Sequence, residues 1–487
     1  MAKLTAVIDL GTNSVRLAVY EKTSRYGFHL LKEIKSRVRI GEGAYESGGR
    51  LQEAPIQRAI TILKEFSFLC KNIKCYKIFC IATSALRDAP NKKEFINKVK
   101  KESGLKIKII DGNEEALLGA TGAINLLPPI KEATTIDIGG GSTELSKIID
   151  GKIVKTLSLD IGTIRLKELF FDQDKPKVEL DAFLNENIGD IEDFKSPLLI
   201  TIGGTLRAIS SFIMEKEEYP LKTVHGFEYE IKSHKDFLNK IPTLTPEDLK
   251  LIGFKKDRFD TVREGGLIFN SIVSKLEIKR VLTSGAGVRE GVFLKDLLKT
   301  SNGVFPQNFN PSLKSLIDRF AISKKDDLHT AKCASMLFDA LQSLHKMDSS
   351  FKKELEIAGK LHDVGRNLNF YQSRLHGFYF VLNSLNFGYT HKEKALIALL
   401  VKTHHSKLPT EAELTLFEEL LPDKDTVLWL SFILAFAKSL NIDYSRQKME
   451  FCYKNHTLYI KNSSSTVLAK EAVKKLIKPA SFAIAFR

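Results

Sequence analysis

The spacing of apolar residues divides the chain into two regimes. Up to about residue 300, short apolar runs alternate with glycine turns and helical stretches. Beyond residue 312 nearly every apolar position recurs at helical spacing. TAVIDL and RLAVYEK predict two strands joined by the turn GTNS, KCYKIFCIAT a third strand and LKIKIID a fourth. Between them QRAITILKEFSFLCKNI and NKKEFINKVKKESG carry a helical period, and Gly104 stands where the second would stop. The plan then repeats. ATTIDIGGGSTELSKIIDGKIVKTLSLD predicts three strands with turns at GGGS and IDGK, and IGTIRLKELFF opens a helix. SPLLITIGGTLRAISSFI and KRVLTSGAGVREGVFLKDLL each run from strand through glycine turn to helix. The pattern predicts an α/β protein with two similar halves, 1–125 and 126–300, around a cleft.

Residues 301–312, SNGVFPQNFNPS, read as a linker. AKCASMLFDALQSLH, ELEIAGKLHDVG, KEKALIALLVKTHH and TVLWLSFILAFAKSL then predict an all-α domain over 313–447. The short alternation MEFCYKNHTLYIKN and the helical EAVKKLIK predict a small α/β tail, 448–487, packed on it.

Composition narrows the class. The longest uncharged apolar run, VLWLSFILAFA, falls short of the roughly 20 residues that span a bilayer, so no membrane partner is expected. The start, one Lys followed by LTAVIDLG, does not read as a signal peptide, and a cytoplasmic location is expected. None of the five cysteines forms a C-x-x-C pair, which argues against a zinc or redox motif. The net charge of +15 resides in residues 1–125 and 311–487, whereas 126–310 is close to neutral. Basic ends favour a polyanionic partner. With no aromatic-interleaved basic motif, a phosphate-rich small molecule is expected rather than nucleic acid.

Two turns carry candidate chemistry. VIDLGTNS and TIDIGGGST each end an apolar strand in an acid followed by a Gly-rich turn. Glycine lets successive backbone N–H groups converge on one anion. Gly11, Thr12, Asn13 and Ser14 in the first turn, and Gly139, Gly140, Gly141, Ser142 and Thr143 in the second, are the candidate phosphate binders. Asp9 and Asp137 would repel phosphate unless a hard cation lies between, for which Mg²⁺ is suited. Two matched turns in matched halves predict an anion gripped from both sides of the cleft.

Further stretches carry a resemblance: IATSALRDAPN (81–91), GNEEALLG (112–119), TIGGTLRAIS (201–210), VHG (224–226) and SGAGVREGV (284–292). LHDVGR (361–366), HGFYFVLNSLNFGYTHKE (376–393) and KTHHSKLP (402–409) continue it into the helical region. Together they resemble the exopolyphosphatase/guanosine pentaphosphate phosphohydrolase (Ppx/GppA) family of the actin–sugar kinase–Hsp70 superfamily, up to about residue 447. The resemblance implies two actin-like (ribonuclease H-like) domains followed by an HD-like helical domain. It implies Mg²⁺-dependent attack of water on a terminal phosphoanhydride. The substrate would be inorganic polyphosphate, guanosine pentaphosphate (pppGpp, giving ppGpp) or both, which belongs to phosphate metabolism and the stringent response. Two other readings stay open: an ATP-dependent kinase of the same superfamily, and a non-catalytic protein that binds alarmone or polyphosphate. A two-domain cleft with a helical arm also permits a homodimer.

Glu114 and Glu115 open a helix, where adjacent residues point in different directions, so at most one faces the cleft. The resemblance favours Glu115 as the group that orients or deprotonates water, with Glu114 the alternative, and Arg87 as a fork onto a phosphate oxygen. Arg16 is read as projecting from its strand rather than contacting ligand. Gly203, Gly204, Thr205 and Arg207 resemble the stretch that holds adenosine in nucleotide-using relatives. They either shape the far wall of the cleft or pack a strand on its helix. Arg289 matches the family without a derivable role. His329, His362 and Asp363 fit the first three ligands of an HD-type metal site. FAKSLN, however, places Lys438 where that pattern has its last Asp, so a degenerate site without metal is expected. His376, His404 and His405 are candidates for holding a long anion.

Overall fold

The computed structural model describes residues 3–405, 407–462 and 467–487. The N-terminal alternation forms a hairpin of β1 (Lys3–Leu10) and β2 (Val15–Lys22), in register with Asp9 opposite Arg16. β3 (Phe28–Ser36) adds antiparallel to β2, and β4 (Lys77–Ala82) and β5 (Ile107–Ile109) extend the other side in parallel. The order is β3-β2-β1-β4-β5. β3 was not predicted, because FHLLKEIKS is a charged edge strand with Leu30 and Leu31 exposed. Helices α1 (Glu53–Asn72) and α2 (Lys92–Ser103) pack on each other, and their apolar faces share one core with β1, β2 and β4.

Gly104 ends α2 with φ +75° and an N–H bond to the Lys100 carbonyl. A Cβ there would meet nothing within 4 Å, so only the backbone conformation requires glycine. Gly104→Ala is expected to cost about 1 kcal/mol, read as a small fall in Tm.

The second sheet repeats the first. α3 (Gly112–Leu126) leads to β6 (Glu132–Ile138), β7 (Thr143–Ile149) and β8 (Lys152–Leu159). α4 (Lys177–Ile188), β9 (Leu198–Ile202), α5 (Gly204–Lys216), β10 (Glu228–Glu230), α6 (Val262–Lys275), β11 (Arg280–Thr283) and α7 (Val288–Leu297) follow. The order β10-β11-β9-β6-β7-β8, with β6–β7 and β7–β8 antiparallel and β6–β9 and β9–β11 parallel, reproduces the topology of the first sheet. Here Asp137 stands opposite Glu144. α3, placed with the first region by the sequence, packs instead on β7, β8 and α7. These two sheets form one compact unit through Phe309. The expected linker contributes to it, since Phe305 and Phe309 pack edge-on against Tyr26.

The second unit begins at Asn310, whose side chain caps α8 (Pro311–Phe320) by accepting from the Leu313 N–H at 2.9 Å. α9 (Lys324–Ala340), α10 (Phe351–Leu361), α11 (Ser373–Ser384), α12 (His391–Thr403) and α13 (Lys424–Leu440) build its core. The long apolar run lies on α13, where Trp429, Phe432 and Phe436 are buried. No helix among the described residues is long and apolar enough to cross a membrane. β12 (Met449–Lys454), β13 (Thr457–Asn462) and β14 (Ala483–Phe486) form a three-stranded sheet, and α14 (Val467–Lys474) packs on α13. Leu458, Ile460 and Phe482 enter the same core as Trp429.

Candidate active site

The two Gly-rich turns are built alike. The Gly11 N–H bonds the Ser14 carbonyl at 3.1 Å and the Gly139 N–H bonds the Ser142 carbonyl at 2.9 Å. Both turns face one cavity of ≈ 160 Å³ in the first unit. A Cβ on Gly140 would stand 2.8 Å from the Thr12 Cβ, and one on Gly141 would stand 2.1 Å from the Tyr45 hydroxyl oxygen. Side chains at those positions would therefore fill the space between the turns.

The register of each hairpin then sets the chemistry. Directly paired residues on antiparallel strands project to the same face. Asp9 thus brings Arg16 to the cavity, and Asp137 brings Glu144. Arg16 lines the cavity, which corrects the expectation that it projects away. Glu144 was not singled out from the sequence. The signal was an acid seven residues after Asp137, across a four-residue turn, inside the apolar strand TELSKII.

Glu115, from the first turn of α3, completes the set and is buried beside Glu144. Its Oε2 accepts from Arg87 Nη1 at 3.1 Å, and Glu144 Oε1 accepts from the Ser158 hydroxyl at 2.9 Å. Burial, then the charge of its Glu144 neighbour, pushes Glu115 well above the usual carboxylate range. Burial likewise raises Glu144. Glu114 is not brought there. It turns outward to accept from Lys108 at 2.6 Å and Lys295 at 3.2 Å, because one residue along a helix is a rotation of about 100°. Arg87 does not line the cavity either. It holds Glu115 and donates to the Ile110 carbonyl at 3.3 Å. Thr143 is also absent from the lining, its hydroxyl being spent on the Ile161 carbonyl at 2.7 Å.

The far wall comes from Gly203, Gly204, Thr205 and Arg207 at the start of α5, and from Arg289 on α7. Gly203 has φ +91°, and a Cβ there would lie 2.5 Å from Asp137 Oδ1. Arg289 pairs with Glu33 of β3. Burial, then the charges of Arg289 and Arg207, pushes Arg16 down to about 10. Arg258 lines the same cavity. The guanidiniums of Arg16, Arg207 and Arg289 repel one another, and a bound polyanion relieves that repulsion.

Asp9 and Asp137 fit a hard cation. Burial raises both, Asp137 to about 6, and no hydrogen-bond donor to either carboxylate is present among the described residues. The glycines at 119, 203 and 287 keep side chains away from Asp137. Among the described residues no three His, Cys, Asp or Glu side chains converge as a metal-binding cluster. Two carboxylates alone suit Mg²⁺, which keeps several waters and takes phosphate oxygens as further ligands.

In the second unit His362 and Asp363 line a separate cavity, but His329 does not join them. Asp326 and Thr330, four apart on α9, occupy the lining face, and His329 Nε2 is buried without a hydrogen-bond partner. The three-residue set expected from the motif is therefore not assembled. His404 and His405 line this second cavity and His376 does not.

Residues 18–300 match the Ppx/GppA phosphatase family, and residues 310–475 match domain III of Ppx/GppA phosphatases. The chain belongs to the Ppx/GppA phosphatase family. Among solved Ppx/GppA structures, a family member from Aquifex aeolicus is 28% identical with a TM-score of 0.53, over 62% of this chain and 99% of its own. A second study of the Aquifex aeolicus PPX-GPPA enzyme gives 28% identity and a TM-score of 0.51, over 60% and 99%. An exopolyphosphatase from Cytophaga hutchinsonii, 24% identical with a TM-score of 0.56 over 62% and 99%, shares the fold. The matched Ppx/GppA residues include the glycine-turn cavity apart from β1, the first turn and Arg16 at the start of β2.

Proposed function

We propose that this phosphatase hydrolyses the terminal phosphoanhydride of a linear phosphate chain, releasing orthophosphate from inorganic polyphosphate, from guanosine pentaphosphate or from both, with Mg²⁺ bound. The observation that carries the reading is the meeting of two anion-binding turns, the acid pairs Asp9–Asp137 and Glu115–Glu144, and four arginines, Arg16, Arg207, Arg258 and Arg289, on one cavity. The N–H groups of the turns receive the end phosphate, and Arg16, Arg207 and Arg289 offset its charge. Asp9 and Asp137 would hold Mg²⁺, which supplies charge neutralisation at phosphoryl oxygens.

Water attacks the terminal phosphorus in line. One P–O bond forms as the bridging P–O bond breaks, and the shortened chain leaves with the bond's electron pair. Glu115 and Glu144 face the attacking water. Their raised affinity for protons suits the ionised member of the pair to take the water's proton, and Arg87 keeps Glu115 oriented.

A paired assay tests this. Orthophosphate release from polyphosphate and from guanosine pentaphosphate is measured with Mg²⁺ and with chelator, for the native chain and Asp137→Asn. Release from at least one substrate is expected, with chelation and Asp137→Asn each lowering it by at least about a hundredfold. Release from neither substrate, or equal rates with chelator, overturns the proposal.

A further inference from the structure

The second cavity, ≈ 390 Å³, lies wholly within the C-terminal unit and has no part in the chemistry above. Its charges do not balance. The Lys438 ammonium nitrogen stands 3.1 Å from His404 Nε2 and 3.8 Å from Asp363 Oδ1. Asp363 is already bonded by Arg366 Nη1 at 2.8 Å, so one carboxylate faces two cations. The other acid on the wall, Asp326, is held by Arg446 at 3.1 Å and by the Ser323 hydroxyl. Arg374 spends one N–H on the Lys402 carbonyl at 2.9 Å. No carboxylate pairs with Arg374 or Lys475 among the described residues.

Lys438 donates to His404, so that imidazole nitrogen is an acceptor and carries no proton. Burial, then the Lys438 charge, holds His404 well below the usual imidazole range. His404 is therefore a neutral imidazole that accepts a hydrogen bond from Lys438 and leaves the lysine's charge uncompensated. A metal ion would meet an ammonium here, whereas an anion would meet Lys438, Arg374 and Lys475 with their charge only partly spent. The cavity is also too large for a bare phosphate, and Ala435, Ile442 and Leu476 give it an apolar wall.

We infer that this cavity binds a nucleoside monophosphate, its phosphate received by Lys438 and Arg374 and its organic part lying on the Ala435–Ile442–Leu476 wall. Two cations with little compensation match a dianionic phosphate ester better than a singly charged carboxylate. The site is separate from the glycine-turn cavity, so its occupation and phosphate release can be measured independently.

The test is calorimetric titration of the full chain with guanosine monophosphate, inorganic phosphate and guanosine. Lys438→Met, Arg374→Met and Lys438→Arg are titrated alongside, and orthophosphate release is assayed for each. Guanosine monophosphate is expected to bind at least about tenfold tighter than phosphate or guanosine. Lys438→Met and Arg374→Met should each weaken it about tenfold, Lys438→Arg should retain it, and release rates should stay within about twofold. The inference is overturned by absence of guanosine monophosphate binding, by equal binding of phosphate or guanosine, or by undiminished affinity in both Met variants.

Discussion

Replacing Glu115 by Gln is expected to lower kcat by about a thousandfold, with KM changed less than about threefold. The amide is nearly isosteric and can still accept from Arg87, so the cavity keeps its shape and loses only a proton acceptor. Glu114→Gln provides the contrast. Its carboxylate is engaged by Lys108 and Lys295 outside the cavity, and turnover should move by less than about twofold. The pH dependence follows from the direction of the shifts. Glu115 and Glu144 bind protons more tightly when folded, so the ionised base is depleted at low pH and kcat/KM should rise as pH increases through their raised range. The stability linkage has the opposite slope. A carboxyl whose folded pKa is raised contributes stability fully present below its unfolded value, about 4.3 for Glu, and lost as pH climbs through the folded one. Native stability should therefore decline over the same interval in which activity appears, and Glu115→Gln should flatten part of that decline. Full turnover in Glu115→Gln would transfer the role of proton acceptor to Glu144.

How much of this was legible depends on whether a feature is written locally. The duplicated sheet was, because each half spells strand, turn and strand with its own glycines. The deeper site was only half so. Once GTNS and GGGS are taken as four-residue turns, pairing fixes Asp9 with Arg16 and Asp137 with Glu144. Alternation alone leaves Arg16 and Glu144 unplaced; the register across each turn puts them on the cavity face. The convergence of Arg16, Arg207 and Arg289 had no local trace, since three separate elements bring those residues together from far apart in the chain. The helical phase at α9 misled for the opposite reason. A motif match favoured His329, but the lining face of that helix runs through Asp326 and Thr330, and a residue beside Thr330 lies about 100° round. Lys438 was informative from sequence alone, because a cation where the HD pattern has an acid changes which charge the cavity can hold.

The fold also contains a point where one methyl group should disturb both stability and chemistry. α3 and α7 cross so closely that a Cβ on Gly291 would stand 1.9 Å from the Leu118 carbonyl oxygen and 2.6 Å from its carbon. One turn away, a Cβ on Gly122 would meet the Gly287 carbonyl oxygen at 2.4 Å. These neighbours are backbone atoms and cannot rotate aside as the end of a side chain could. Gly291→Ala must push the helices apart, at a cost of about 3 kcal/mol. For a unit that runs from Met1 to Phe309 that is a fall in Tm of about 4–5 °C. Leu118 lies one turn from Glu115 on α3, and Gly291 lies two residues from Arg289 on α7. Separating the helices therefore displaces the proton acceptor from the wall that faces the phosphate, and a shift near 1 Å should lower kcat about a hundredfold. Gly104→Ala separates the two effects. It strains the backbone in open space, at a residue that does not line the cavity, so it should lower Tm slightly and leave kcat unchanged. If Gly291→Ala keeps native Tm and native kcat, the helix crossing does not set the distance between Glu115 and the arginine wall.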